Sequence, residues 1–476
     1  MRTLTWIIAA AFLCLHGVAE GTAAPVVWKP CTLNGVQGKA ECTTISVAED
    51  RAKPNGRLIA LRLTRLLPLS QSPASDPVFV LQGGPGQSAV GLAKFYGGED
   101  WATTRATRAI VLLDQRGTGA SNALDCSTVG REGDPQSYLG EMFPEDLISH
   151  CAAGIVAHAD PTRYTTMDVV EDLEEVRNRL GYDIIDLYGT SYGTRVALAY
   201  LERYPRRVRA MILKGVVEPQ SVVPSSFAED TERAVRLTIE DCAADPQCSG
   251  DYPDLAAAYA KLRAALDKGP IAADLTAGEH KQRVTLSRGV VSAAFRSALQ
   301  ATPFAARLPR VIHAAGQGDY APLASFVVEV RKAGEGAAST GMMLSVLCAE
   351  DAPLLKDENR SNTLMGSYWE ERLKAACAAW NVPSRKTPYR SPTVHSTPTL
   401  MVSGYLDPAT PPVHAEGAAK NLPNARHVVV RNGSHSFAGM KGCIDVLIAS
   451  FLENPARPQD AGCADKIKRP PFARPD

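Results

Sequence analysis

Three short apolar runs, each closed by a glycine-containing turn, constrain this chain more than any other feature. They read PVFVLQGGPG (Pro77 to Gly86), RAIVLLDQRGTGAS (Arg108 to Ser121) and DIIDLYGTSYGT (Asp183 to Thr194). Runs of aliphatic and β-branched residues this short, bounded by turn residues, predict strands buried on both sides. Helical patterns lie between and after them. In TTMDVVEDLEEVRNRLGY, Met167, Val169, Val170, Leu173, Val176 and Leu180 recur at the spacing of one helix face, with Thr165 or Thr166 as N-cap and Gly181 as the stop. TRVALAYLERYP predicts a further helix. RLIALRLTRLLP (Arg57 to Pro68) and VRAMILKGVV (Val208 to Val217) predict further strands. Strands alternating with helices imply an α/β fold, a mostly parallel sheet with helices on both faces.

The alternation stops near Pro219. From there to about Thr397 the pattern is mainly helical, as in FAEDTERAVRLTIEDCAADP and DLAAAYAKLRAAL, and strands resume at TPTLMVSGYLDPATPP and ARHVVVRNGSHSF. The expected organisation is a core over residues 25–218, an inserted helical cap over 219–396 and the rest of the core over 397–476. With 476 residues, 45% of them hydrophobic, the chain can bury both parts.

The first residues show one arginine, an apolar stretch from Leu4 to about Leu15, and small residues offering cleavage after Ala19, Ala23 or Ala24. This pattern predicts a secretory signal peptide over 1–24; the stretch is shorter than the ~20 residues that span a bilayer. Bulky Leu13 argues against lipid attachment at Cys14. No stable membrane association is expected once the signal is removed, and a monomer is the expected state. Of 11 cysteines, ten remain after Cys14. They fall as neighbours, Cys31 with Cys42, Cys126 with Cys151, Cys242 with Cys248, Cys348 with Cys377 and Cys443 with Cys463. Five local disulfides in an oxidising compartment, periplasmic or extracellular, are the expectation. Neither Cys-x-x-Cys nor a close histidine pair occurs, so neither a metal nor another cofactor is expected. Lys plus Arg and Asp plus Glu both total 51, with no like-charge run, which argues against a nucleic-acid partner.

Gly189-Thr190-Ser191-Tyr192-Gly193 fits G-x-S-x-G. The bare pattern is weak, but it stands between a predicted strand and a predicted helix, where a nucleophile elbow requires it. Residues two before and two after the serine must be small there, and the hydroxyl is presented near a helix N-terminus. A serine needs a base to take its proton, and the base needs orienting. Asp407 in SGYLDPATP and His435 in NGSHSF follow the serine in that order, each just past a strand. Asp407 also reads as a plain turn residue before Pro408. His280, His313, His395, His414 and His427 lack this placement. The turn Gly83-Gly84-Pro85-Gly86 lets backbone N–H groups approach a substrate oxygen. Gly84, with the N–H of Tyr192, is the expected oxyanion-hole pair.

QGGPG, DQRGTGAS, GTSYGT, GYLDPATP and GSHSF, in this order and spacing, resemble the prolyl aminopeptidase and tripeptidyl aminopeptidase family of α/β-hydrolases. The resemblance covers nearly the whole chain after the leader, including a helical cap between the sixth and seventh core strands. It implies Ser191 as nucleophile, Asp407 as orienting acid, His435 as base, and a peptide substrate. Gln82 stands where prolyl aminopeptidases usually have histidine, and length, export and cysteine content are more similar to the tripeptidyl type. The expected activity is therefore an exported serine aminopeptidase, releasing residues or short peptides from free N-termini. A carboxylesterase or lipase on the same core is the rival, because fold and triad do not fix the leaving group. A binding protein that kept the fold is disfavoured by the complete triad, and an aspartate-nucleophile hydrolase by the serine itself. An aminopeptidase needs a carboxylate for the substrate ammonium, since an unpaired charge in a closed pocket costs several kcal/mol. Glu350 and Asp351 in VLCAEDAP, and Glu218 in GVVEP, are the candidates, Glu350 first.

Overall fold

The computed structural model describes residues 26–126, 130–277, 280–358, 360–437 and 442–475. The expected leader and its cleavage sites lie outside them. The strands are β1 (Lys29–Cys31), β2 (Ala40–Ala48), β3 (Leu58–Leu66), β4 (Val78–Leu81), β5 (Ile110–Leu113), β6 (Ile185–Thr190), β7 (Val208–Lys214), β8 (Ile271–Ala277), β9 (His280–Leu286), β10 (Thr399–Gly404) and β11 (Ala425–Val430). Nine of these make one sheet in the order β1-β2-β3-β5-β4-β6-β7-β10-β11, and β8 pairs with β9 alone. From β5 to β11 the pairings are parallel; β1, β2 and β3 run antiparallel at one end. The sequence pattern does not foresee β1 and β2. Cysteine, threonine and serine in AECTTISVA dilute the apolar signal, although side chains still alternate there between buried and exposed.

Period-two alternation divides the parallel strands between two hydrophobic layers. Phe79, Leu81, Leu187, Met211, Leu213 and Met401 face one layer; Val78, Val80, Tyr188, Ala210, Ile212 and Val402 face the other. Helices α1 (Thr166–Arg179) and α2 (Tyr192–Arg203) cover the first face, and the helix Cys443–Glu453 covers the second. Thr165, rather than Thr166, caps α1, and Thr165 and Asp168 satisfy each other's backbone N–H in a capping box.

The insertion divides differently from the expected 219–396 unit. A separate apolar core joins α3 (Phe227–Ala244), the β8–β9 hairpin, α4 (Arg288–Leu299) and the helices up to Ala333. The hairpin has no counterpart in the expected helical pattern. By contrast, α5 (Thr340–Glu350) and α6 (Tyr368–Trp380) bury Met342, Leu344, Val346, Leu347, Leu373 and Trp380 in the same layer as α1 and α2. Apolar residues all round α5 leave it no solvent face, which forces it into the interior.

The ten cysteines among the described residues form five disulfides, in the neighbour pairs read from the sequence: Cys31–Cys42, Cys126–Cys151, Cys242–Cys248, Cys348–Cys377 and Cys443–Cys463. Cys348–Cys377 staples α5 to α6. No helix among the described residues is long and apolar enough to cross a membrane.

Candidate active site

Strand β6 ends at Thr190, α2 begins at Tyr192, and Ser191 between them has φ 53° and ψ −124°. A non-glycine residue costs energy in this region, on the order of 1–3 kcal/mol, so the surroundings must impose it. Ser191 N–H donates to the Lys214 carbonyl at 2.9 Å, and Thr194 Oγ1 donates to the Ser191 carbonyl at 2.6 Å. A Cβ on Gly193 would stand 2.0 Å from the Leu81 carbonyl oxygen of β4. The small residue two after the serine is therefore required by the neighbouring strand as well as by the turn.

Asp407 leaves β10 and is fully buried. Its Oδ1 accepts from the Ala409 and Thr410 backbone N–H groups at 2.6 and 3.0 Å, and its Oδ2 lies 2.8 Å from His435 Nδ1. Asp407 is thus both the turn residue and the partner of the histidine. The His435 charge and hydrogen bond and the two backbone donors outweigh burial and hold its carboxyl well below the usual range. Thr410 Oγ1 contacts both members, 2.9 Å from Asp407 Oδ2 and 3.1 Å from His435 Nδ1. A Cβ on Gly215 would press on Thr410 Oγ1 at 2.9 Å and on His435 at 3.2 Å, so only glycine lets β7 pass this close. Sequence reasoning missed both residues. Their one signal is position, three residues after the aspartate and just past a strand end.

Ser191, Tyr192, Gly84 and His435 line one cavity of about 610 Å³ at the C-terminal ends of the parallel strands, where open α/β sheets bind ligands. Gly84 has φ +105° and lies in the turn after β4. That turn is tied to the DQRGTGAS loop, since Asp114 accepts from Ser88 Oγ at 2.6 Å and from Val90 N–H at 2.9 Å. Gln82, in the position usually held by histidine, also lines the cavity, and its amide donates to the Tyr96 hydroxyl. Of the rival histidines, His395 pairs with Glu202, His427 with Ser403, and His313 with Gln317. His414 lines the cavity with its Nε2 3.1 Å from Asp230. The side chain of His280 lies outside the described set.

The expected ammonium anchors do not reach this cavity. Glu350 is 2% exposed, and its carboxylate accepts from Thr166 N–H (2.7 Å), Thr166 Oγ1 (2.6 Å) and the Tyr389 hydroxyl (2.7 Å). Asp351 is equally buried, held by Arg195 at 2.8 Å, Arg390 at 2.6 Å and Val223 N–H at 2.9 Å. Neither lines the wall, and neither does Glu218, whose carboxylate lies against Gly417. The adjacent acids are unusual because α5 is interior, not because they meet a ligand. Among the described residues lining the cavity none is Asp or Glu, whereas Lys214, Arg296 and Arg195 line it, Arg195 being paired with Asp351 behind the wall.

The model of the alpha/beta hydrolase fold family matches residues 76–438. The serine protease Hip1 of Mycobacterium tuberculosis is 24% identical over 481 aligned positions, covering 90% of this chain and 88% of that protein. The tripeptidyl aminopeptidase of Streptomyces lividans is 26% identical over 42% of this chain and 40% of its own length. The proline iminopeptidase of Neisseria gonorrhoeae is 29% identical over 31% of this chain and 34% of its own length. Peptidases thus recur among the relatives, and the chain belongs to the alpha/beta hydrolase family.

Proposed function

We propose that this chain is an exported serine peptidase that cleaves peptides through an acyl-enzyme on Ser191, releasing residues or short peptides from free N-termini. The observation that carries the reading is Ser191, in its positive-φ turn, on the wall of the same cavity as the His435–Asp407 pair. Asp407 engages Nδ1 and so fixes the tautomer that leaves Nε2 to act as base. His435 takes the Ser191 proton as Oγ attacks the scissile carbonyl. The oxyanion is met by the N–H groups of Tyr192 and Gly84, and His435 returns the proton to the leaving amine. Water then repeats the sequence and frees the acyl group. The five disulfides favour an oxidising compartment. Release from the N-terminus is supported by the two aminopeptidase relatives.

The test is a panel of blocked and unblocked aminoacyl, dipeptidyl and tripeptidyl chromogenic amides beside simple esters. Unblocked amides should be preferred. Equal cleavage of blocked and free amides would remove the N-terminal part of the reading. Ester cleavage without any amide cleavage would replace the peptidase with a carboxylesterase.

A further inference from the structure

Two cations stand on the cavity wall without a counter-ion. Strand β7 is apolar from Ala210 to Leu213, and its alternation puts Lys214 on the same face as Ala210 and Ile212. The Lys214 ammonium lies 5.0 Å from the centre of the Phe437 ring, two residues beyond His435. Arg296 comes from the cap. It is 6% exposed in helix α4, beside the buried Phe295 and Leu299, its guanidinium lies 3.4 Å from the centre of the Phe227 ring, and it donates to the carbonyl of Pro408, next to Asp407. The two therefore flank the Asp407–His435 pair, one from the sheet and one from the cap. Among the described residues neither makes an ion pair.

The carboxylates whose charge acts on them, Asp407 and Asp230, are already used. Asp407 is committed to His435, Thr410 and two backbone donors, and Asp230 to His414. Burial pushes the Lys214 ammonium down to about 8 and the Arg296 guanidinium down to about 10, the mark of cations that lack adequate compensation. Leaving buried charge uncompensated costs several kcal/mol, and an incoming anion recovers part of it.

We infer that Lys214 and Arg296 together bind a carboxylate of the substrate beside Ser191, so that the cavity selects substrates carrying an acidic group near the scissile bond. This rests on Ser191 being the reacting centre and names the substrate class for that site. The carboxylate has two possible sources, an Asp or Glu side chain or a free C-terminus, and both present the same chemistry.

The test compares matched pairs on the wild-type protein and on Lys214→Met and Arg296→Gln. One pair is glutamyl against glutaminyl chromogenic amides; another is short peptides ending in a free carboxylate against the same peptides amidated. A third is a hemisuccinate p-nitrophenyl ester against the neutral butyrate. In the wild type, kcat/KM should favour the acidic member of at least one pair about tenfold or more, mainly through KM. The preferred pair identifies the source. Each variant should bring that ratio toward one. A wild-type ratio at or below one in all three pairs overturns the inference without needing any variant to fold, and so does a ratio unchanged in both variants. Selection on the ester pair with no cleavage of any amide retains the carboxylate site while the peptidase reading fails.

Discussion

Two sets of charge, buried or half-buried, lie close to Ser191, and they differ in what their charges meet. On one side, Glu350, Asp351, Arg195 and Arg390 neutralise one another, and each carboxylate is filled by short hydrogen bonds. On the other, Lys214 and Arg296 face the cavity with no carboxylate of their own. Sequence shows the first set as a conspicuous acidic pair and the second as single basic residues in apolar elements, so attention falls on the wrong side. Charge that is paired holds structure together even where it touches the cavity, as Arg195 does; unpaired charge that opens onto a cavity is available to a ligand. The first set does support the site indirectly. The Tyr192 hydroxyl lies 2.9 Å from Thr166 Oγ1, which donates to Glu350, so the network anchors the first residue of α2.

The comparison depends on Ser191 being the reacting centre. Ser191→Ala should lower kcat/KM on the best substrate by about 10⁴-fold or more while thermal unfolding stays unchanged. An active variant would remove the common reference point of both sets. Next in size, Asp351→Asn strands Arg195 and Arg390 without their counter-ion and should cost about 3–5 kcal/mol in denaturant unfolding. Lys214→Met should leave stability equal or higher, because it removes a desolvated charge that nothing pairs. If Lys214→Met destabilises as much as Asp351→Asn, the two sets do not differ in kind.

Glu350→Gln sharpens the contrast further. The amide replaces the acceptor Oε2 by a donor, so the Thr166 and Tyr389 hydroxyls must turn to accept and give up charge-assisted bonds, a cost of about 1–3 kcal/mol. The ratio of kcat/KM for unblocked over blocked peptides should not move. A large selective rise in KM for unblocked peptides would make Glu350 an ammonium anchor after all, and would require the cavity to open toward α5.

The parallel strands, the turn at Ser191 and the pairing of Asp407 with His435 were legible because each rests on local rules, namely apolar runs, a glycine turn, and residues just past strand ends. Disulfide pairing was legible because the partners are close in sequence. What could not be read depends on which face an element presents. VLCAEDAP looks like a loop reaching a pocket until α5 proves apolar all round and therefore interior. Lys214 at the end of VRAMILK looks like a solvated strand terminus, and Arg296 like a long side chain reaching for water. Only the packing of the cap against the sheet makes them neighbours of one cavity. Likewise Gly215 and Thr410 acquire meaning only when β7 and the turn after β10 converge on His435.

The smallest effect separates the two cations by pH. Lys214 carries charge below about pH 8 and loses it as pH rises through that value, because burial lowers its pKa from the usual lysine range; Arg296, lowered only to about 10, stays mostly charged. The groups around Lys214 are Asp407, which favours the charged form, His435 and Arg296 on the large cavity, and Tyr188, Asp100 and Asp445 in a small adjoining one. Asp445 is occupied by Thr103 and Thr104, and burial raises Tyr188 to about 12, so neither replaces Lys214 near neutrality. Both members of an acidic–neutral substrate pair share the same serine and histidine, so the ratio of their kcat/KM values cancels the titration of the catalytic machinery. That ratio should be highest below pH 8 and fall about three- to tenfold between pH 7 and 9.5, about 0.7–1.4 kcal/mol. The residual preference belongs to Arg296 and should vanish above pH 9 in Arg296→Gln. A ratio that stays flat through pH 9.5 in the wild type would take Lys214 out of the carboxylate site and leave the selection to the cap arginine alone.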